Sequence, residues 1–349
     1  MLTREGGLPP LAWLLWALAA AASVQVAPNP LYVVVVVAIA GLVVQAHAAD
    51  GPLTSAFPVL VIAGIAFAGL RLVLTVLTTH GTGDALFTLP EATLPRLLGG
   101  FTVGGSVEPA VAARAAAEGW AIVGIIAAFA AFNAVVSHHE LVQAAPRAFY
   151  ELGLAVTVAL AFVPSTIAAV GAVREADRAR TGGRPVRRGR VLRQVVPVLE
   201  SGMERAVRLA ESMDSRGFGR ASTSGDVAAG WLGLASLLLL ACCFVALVAR
   251  ATPAAAGLAI AGAVALVGAV ATASRSTQRT RYRPRRLSPS QWVVALVPWV
   301  APIGLAVAGQ RGDGTLRWPG NELTQPSVSL VALTLLTALA VPAVLKDKP

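Results

Sequence analysis

Hydrophobic residues follow one another in long uncharged runs along this chain, and short polar or basic stretches separate the runs. A helix needs about 20 residues to cross the hydrocarbon of a bilayer, so each run predicts a membrane-spanning helix. The runs cover residues 11–27, 31–49, 56–79, 119–137, 149–173, 228–249, 253–274, 291–309 and 326–345. This pattern predicts an all-α polytopic membrane protein with about seven to nine membrane helices.

The stretches between the runs predict turns and one long loop. Pro28-Asn29-Pro30 and Asp50-Gly51-Pro52 have the composition of tight turns. Residues 80–118 are polar and rich in Gly, and they predict a long external loop with short helical pieces. The first run is similar to a signal peptide, but a second run begins directly after the first turn and favours a membrane hairpin.

Positive charge is concentrated in two places. The chain is 56% hydrophobic with a mean hydropathy of +0.70, which excludes an ordinary soluble domain. Residues 174–220 contain twelve Arg and six acidic residues, and residues 275–286 contain six Arg and no acid. Basic loops beside membrane spans lie in the cytoplasm, so both tracts are predicted to be cytoplasmic. Both adjoin hydrophobic runs directly, which disfavours nucleic-acid binding.

Counting the predicted spans leaves the side of the N-terminus open. Two spans separate the basic tracts, and two more return the C-terminal tail to the cytoplasm. Five spans precede the first tract, which puts the N-terminus outside unless one early segment does not fully cross.

Few residues have the pattern of a catalytic or metal site. Cys242 and Cys243 are neighbours in an apolar run and are interpreted as small hydrophobic residues. His138-His139-Glu140 offers metal ligands, but the alternative of polar residues at a membrane boundary is favoured because no third ligand is suitably spaced. Arg71 is a lone charge at helix depth, where it either snorkels to water or contacts a partner.

The first basic tract predicts two helices. The 149–173 run contains Pro164, which predicts a kink, and continues as a helix to Arg180, where Thr181-Gly182-Gly183 ends it. A second, amphipathic helix is predicted for residues 191–215. Its polar stripe contains Glu200, Glu204, Arg208, Glu211 and Ser215, and its apolar face contains Leu199, Met203, Ala206, Val207, Ala210 and Met213.

The end of this second helix is its most specific part. Gly217 stands where a helix-ending Gly belongs, so Arg216 lies at the C-terminal end, where a cation suits the helix dipole. Glu204 and Arg208 form a favourable i,i+4 pair. Two interpretations of Arg216 stay open: it caps its own helix, or it reaches a partner with its guanidinium fork.

These residues resemble the transmembrane (T) component of energy-coupling factor (ECF) transporters. The string from Ala206 to Phe218 is similar to the family's second coupling motif, and Ala179-Arg180-Thr181 matches the position of the first. Phe162-Val163-Pro164 is similar to the proline-containing start of a helix in this family. Residues 105–108 are similar to another pattern of the family. The resemblance covers about residues 10–250. The chain departs from it at Thr181 and Ser215, and in having four hydrophobic segments after the coupling helices.

The resemblance implies a non-catalytic subunit that couples ATP hydrolysis to import. It implies two ABC-type ATPase subunits and a membrane S component as partners, with vitamins or metal ions such as cobalt as cargo. Within this chain it implies no catalytic residue, metal or cofactor, with ATP and Mg²⁺ in the partner ATPases; no phosphate-binding loop occurs in the sequence. The implied ATPase contacts are Ala179, Arg180, Thr181, Ser215, Arg216 and Gly217, supported by Pro164, Glu204, Arg208, Glu211, Met213 and Phe218.

The expected organisation has four parts in the cell (inner or plasma) membrane. These are a membrane domain (1–173), the cytoplasmic coupling helices (174–222), a membrane hairpin (223–274), and a basic loop with a C-terminal membrane extension (275–349). The coupling region and C-terminus are expected in the cytoplasm.

Two other functions remain open. A membrane enzyme acting on lipid or prenyl substrates would need paired polar groups, and the candidates Asp84, Glu91, Glu108 and His138-His139 are isolated. A scaffold whose basic tracts only bind anionic lipid is the other possibility.

Overall fold

A computed structural model describes most of the chain. The described residues are 8–47, 56–79, 85, 87–93, 102–144, 149–182, 190–217, 227–249, 251–276, 289–318 and 325–344. Within these ranges seven helices are long and apolar enough to cross a membrane, and the only strands form one short pair. The chain therefore has the all-α fold of a polytopic membrane protein, as the hydrophobic runs predict.

The helices follow the predicted runs closely. Those of the N-terminal part are α1 (Pro10–Val26), α2 (Pro30–His47), α3 (Ala56–Thr78), α4 (Pro109–Val135) and α5 (His138–Ala144). The middle of the chain forms α6 (Tyr150–Thr181), α7 (Arg190–Ser215), α8 (Val227–Val248) and α9 (Thr252–Ser276). The C-terminal part forms α10 (Pro289–Leu296), α11 (Val300–Gln310), α12 (Leu330–Thr337) and α13 (Val341–Val344), with 3₁₀ turns between neighbours.

The predicted 80–118 loop is the main difference from the sequence-based expectation. Instead of short helical pieces, it contains an antiparallel pair of strands, β1 (Phe87–Thr93) and β2 (Thr102–Val107), and α4 begins at Pro109. A Cβ on Gly104 would lie 2.1 Å from the Pro90 carbonyl oxygen, and its φ is 103°, so only Gly fits this close crossing. Pro109 provides the helix start, because proline is favoured in the first turn.

Contacts between residues divide the chain into two compact units, 1–144 with 285–349, and 145–284. The first unit has a core of buried side chains from α1, α2, α4 and the C-terminal helices. Trp16 and Tyr32 are its largest fully buried residues. Small residues let α4 approach the α1–α2 hairpin: a Cβ on Gly124 would lie only 2.8 Å from Val33 Cγ1.

Buried hydrogen bonds tie the C-terminal helices of the first unit to α1 and α2. Trp16 Nε1 donates to the Leu339 carbonyl at 2.8 Å. That carbonyl lies in a 3₁₀ turn before Pro342, which has no N–H to donate to it. Asn29, in the α1–α2 turn, donates from Nδ2 to the carbonyls of Thr315 (2.8 Å) and Ser327 (2.9 Å).

The ends of the helices in the first unit lie on two opposite faces, which we call the turn face and the terminal face. The turn face contains the α1–α2 turn and, through the Asn29 bonds, the connection between α11 and α12. The terminal face contains the opposite ends of these helices. Gly124, near the middle of α4, lies beside Val24 and Val33, the residues that flank the α1–α2 turn. The middle of α4 is therefore level with the turn face, and its C-terminal end lies at the terminal face. There α5 contacts α1, and α10 begins.

In the second unit, α8 and α9 form a close antiparallel hairpin. Ser236 Oγ donates to the Gly262 carbonyl at 3.0 Å, and Cys243 Sγ lies 3.2 Å from the Ala255 carbonyl oxygen. The Cys243 side chain is buried in this contact, and both cysteines are free thiols. Cys243 thus acts as the small packing residue that the sequence predicts.

Candidate functional site

The first basic tract forms the end of α6 and nearly all of α7. α6 is one continuous helix of 32 residues, with Pro164 inside it and Gly182 in the left-handed conformation (φ 56°) at its end. The Thr181 hydroxyl donates to the Asp177 carbonyl at 2.8 Å and fills a bond that the helix end leaves open. Residues 153–173 are uncharged, and none of the 18-residue apolar window of α6 is buried within its unit.

α7 is amphipathic, as its spacing predicts, and its apolar face is exposed. The exposed stripe consists of Leu192, Val195, Val196, Leu199, Met203 and Val207. On the polar side, Arg208 donates to Glu204 at 2.6 Å, which is the predicted i,i+4 pair. Both partners are exposed, so this pair stabilises the helix by only about 0.3–0.5 kcal/mol.

A polar contact joins α7 to the end of α6. Asp177 of α6 lies 3.9 Å from Arg193 and accepts a hydrogen bond from Gln194 at 3.3 Å. Helix α7 then extends 22 residues beyond Gln194 to Arg216, which corresponds to about 33 Å at 1.5 Å per residue. Arg180 follows Asp177 by three residues. The two arginines therefore lie near opposite ends of α7.

Arg180 and Arg216 lie at two helix ends, two residues and one residue before a glycine, respectively. Each is exposed, and each precedes a glycine in the left-handed conformation, Gly182 (φ 56°) or Gly217 (φ 79°). Neither guanidinium bonds to any residue within the described ranges. The backbone N–H groups of Arg216 and Gly217 close the turn on the Met213 and Asp214 carbonyls, so the side chain of Arg216 is not needed as a cap.

The other predicted site residues support these two ends. Ala179 and Ser215 are exposed beside the arginines, and the Ser215 hydroxyl donates to the Ser212 carbonyl. Glu211 is exposed and Met213 is half-buried. Phe218 lies outside the described residues. Arg180 and Arg216 thus form two separate sites rather than one cluster.

Some polar contacts were not predicted from the sequence. Arg71 is paired with Glu118 of α4, and it also donates to the Ala115 carbonyl, so it is not a lone charge. His138-His139-Glu140 begins α5 with a capping box, in which Ser137 and Glu140 bond to each other's backbone N–H groups. The Ser-x-x-Glu spacing could have revealed this cap. No local signal connects residues as distant as Arg71 and Glu118.

Comparison with protein-family models finds no match to the chain, and comparison with curated proteins finds none either. The interpretation of the site therefore depends on its own geometry and on the sequence motifs that lie at the two helix ends.

Proposed function

We propose that this chain is the T component of an ECF-type importer, the membrane subunit that couples ATP hydrolysis in two ATPase subunits to a substrate-binding S component. The observation that carries the proposal is the repeated helix end: an exposed arginine, unpaired within the described residues, stands one or two residues before a left-handed glycine at the end of α6 and again at the end of α7. A guanidinium held at a helix end, with its own helix already capped, is available for carboxylates and carbonyls of another protein. The separation of about 33 Å along α7 suits two subunits rather than one.

The membrane sidedness of the helices supports this function. In the first unit, α5 ends and α10 begins at the terminal face, so the chain between them must cross the bilayer an even number of times. Helices α8 and α9 form one close hairpin and add two crossings or none. The amphipathic helix α7 carries eight charged residues and does not cross.

We therefore propose that α6 does not complete a crossing, although it is long and apolar enough to do so. The connecting stretches 145–149, 218–226 and 277–288 are too short or too basic to replace it. Both basic tracts would then be cytoplasmic by the positive-inside rule. The β1–β2 hairpin lies on the external side.

This arrangement also gives α6 and α7 a second role. A helix that is apolar on all sides and does not span the bilayer needs a protein or lipid cover. We propose that the S component supplies it, packing against the exposed residues of α6 and the apolar stripe of α7. Movement of the two arginine ends by the ATPases would then tilt the surface on which the S component lies.

The test is the loss of ATPase binding on removal of each arginine. Arg180→Ala and Arg216→Ala should each reduce capture of the ATPase subunits by the membrane-embedded chain about tenfold, with a matching loss of ATP-dependent uptake. Arg205→Ala is the matched control, since it removes the same charge from α7 at a residue that already bonds to Ser201. Normal uptake in the double variant of Arg180 and Arg216 would refute the proposal.

A further inference from the structure

An open groove of about 610 Å³ lies between α11 and α12 in the first unit, away from the coupling helices along the chain. Its floor is apolar and includes Gly304, Val307, Ala308, Val331 and Leu335. Arg311 and Asp313 stand together at one end, which we call the mouth. The volume is within the range of small-molecule sites, about 300–1,000 Å³.

The groove crosses from the polar boundary into the hydrocarbon region. Arg311 directly follows Gln310, the last residue of a candidate membrane span. Gly304 lies seven residues before Arg311, which is about 10 Å deeper along the helix. Val331 is 60% exposed and Val307 40% exposed, so the floor opens towards the surrounding lipid. A ligand here would have its polar part at headgroup depth and an apolar part beneath it.

The two charged side chains at the mouth are both available to a ligand. No ion pair joins Arg311 to Asp313, and the guanidinium of Arg311 bonds to no residue within the described ranges. Asp313 is fixed in place, since its Oδ1 accepts from the hydroxyl of Thr315 at 2.6 Å and from the Thr315 N–H at 3.0 Å. These bonds, together with one from the Ser329 side chain, hold the pKa of Asp313 below its ordinary value, so the carboxylate is charged at neutral pH.

We propose that this groove binds an aminophospholipid. The phosphate lies on the guanidinium of Arg311, the primary ammonium donates to the carboxylate of Asp313, and one acyl chain occupies the groove. The charges select the lipid class. A headgroup with a phosphate and no amine would meet the uncompensated carboxylate of Asp313, and a quaternary ammonium has no N–H to donate. Phosphatidylethanolamine has both a phosphate and a primary ammonium.

The experiment is native mass spectrometry of the full-length chain with equal amounts of phosphatidylethanolamine, phosphatidylcholine and phosphatidylglycerol. The wild-type chain should retain phosphatidylethanolamine with the highest occupancy. Arg311→Gln should lower that occupancy about tenfold, whereas Arg317→Gln, which removes the same charge outside the groove, should not. Val307→Trp, which fills the floor, should reduce retention of all three lipids at this site.

Asp313→Asn isolates the recognition of the amine. It should erase the preference for phosphatidylethanolamine over phosphatidylglycerol while leaving the phosphate site intact. Because this variant also weakens the Thr315 contacts, its melting temperature is compared with that of Thr315→Val, which loses the hydroxyl bond but keeps the carboxylate. Equal retention of the three lipids by the wild-type chain, or equal effects of Arg311→Gln and Arg317→Gln, would overturn the proposal.

Discussion

At the scale of single residues, close helix contact in this chain depends on where glycine stands. Apolar packing gains little over lipid inside a membrane, so helices associate through close approach of small residues. Gly124 is such a point, because Val24 and Val33 occupy the space that a side chain would need. Gly69 in α3 has no atom within 4 Å of the same position. The sequence shows both glycines but not this difference.

Substituting these two glycines should therefore have opposite effects on stability. Gly124→Ala places a Cβ 2.8 Å from a methyl of Val33, a β-branched residue that cannot easily turn away, and should cost about 1–3 kcal/mol. Gly69→Ala adds helix propensity in open space and should stabilise by about 0.5–1 kcal/mol. Thermal unfolding of the purified chain in detergent measures both, and a lower melting temperature for Gly69→Ala than for Gly124→Ala would contradict this account.

The arginines show what the sequence could and could not predict at this scale. The helix ends at Arg180 and Arg216 were predictable because the glycine that stops each helix is one or two residues away. The partner of Arg71 was not, since Glu118 lies 47 residues further along the chain and other acids were equally available. Local rules fix caps and turns, whereas distant ion pairs depend on the packing of whole helices.

At the scale of elements, hydrophobic runs predicted helix positions because length and apolarity alone decide whether a segment can span lipid. The same rule failed for the β1–β2 hairpin. Its strands are short, contain Pro90 and Gly104, and have an irregular register between Leu89 and Ala92, so they lack the alternation that marks a strand.

The prediction at the scale of elements is that the exposed apolar stripe of α7 binds the S component, and it rests on the proposed function. Met203→Glu introduces a charge into the stripe and should abolish copurification of the S component while the ATPase subunits still bind through Arg180 and Arg216. Arg205→Gln changes the net charge equally but lies outside the stripe, and it should leave both partners bound. Equal loss of the S component in both variants would indicate that charge, not the apolar stripe, governs the contact.

At the scale of the whole molecule, the predicted C-terminal extension is part of the core of the first unit. The sequence separates the segment after residue 275 from the N-terminal helices, because two hundred residues intervene and no motif connects them. The structure joins them through Trp16 and Leu339 and through Asn29 and the 311–329 connection. The predicted four-part division by function stays a prediction.

Removing the hydrogen bonds of Asn29 measures how much the contact between the N-terminal and C-terminal helices contributes to stability. Asn29→Ala leaves the carbonyls of Thr315 and Ser327 without their donor and removes the bond from the Leu31 N–H to Asn29 Oδ1, so it should cost about 1–3 kcal/mol. Asn133→Ala, at an exposed position of α4, is the control and should change stability by less than about 0.5 kcal/mol. Limited proteolysis should then cut the Asn29→Ala chain between α11 and α12 more quickly.

The last prediction concerns the crossing count. In a chain with Cys242 and Cys243 replaced by Ala, single cysteines are placed at Asp214, at Ala249 after α8, and at Arg317. If α6 stays on the cytoplasmic side, an impermeant maleimide should label positions 249 and 317 in intact cells, and position 214 only after permeabilisation. If α6 crosses instead, position 214 should share its side with position 317, and position 249 should lie on the opposite side. The comparison is internal to each cell preparation, because position 317 lies two residues after Thr315, whose carbonyl accepts a hydrogen bond from Asn29 in the α1–α2 turn.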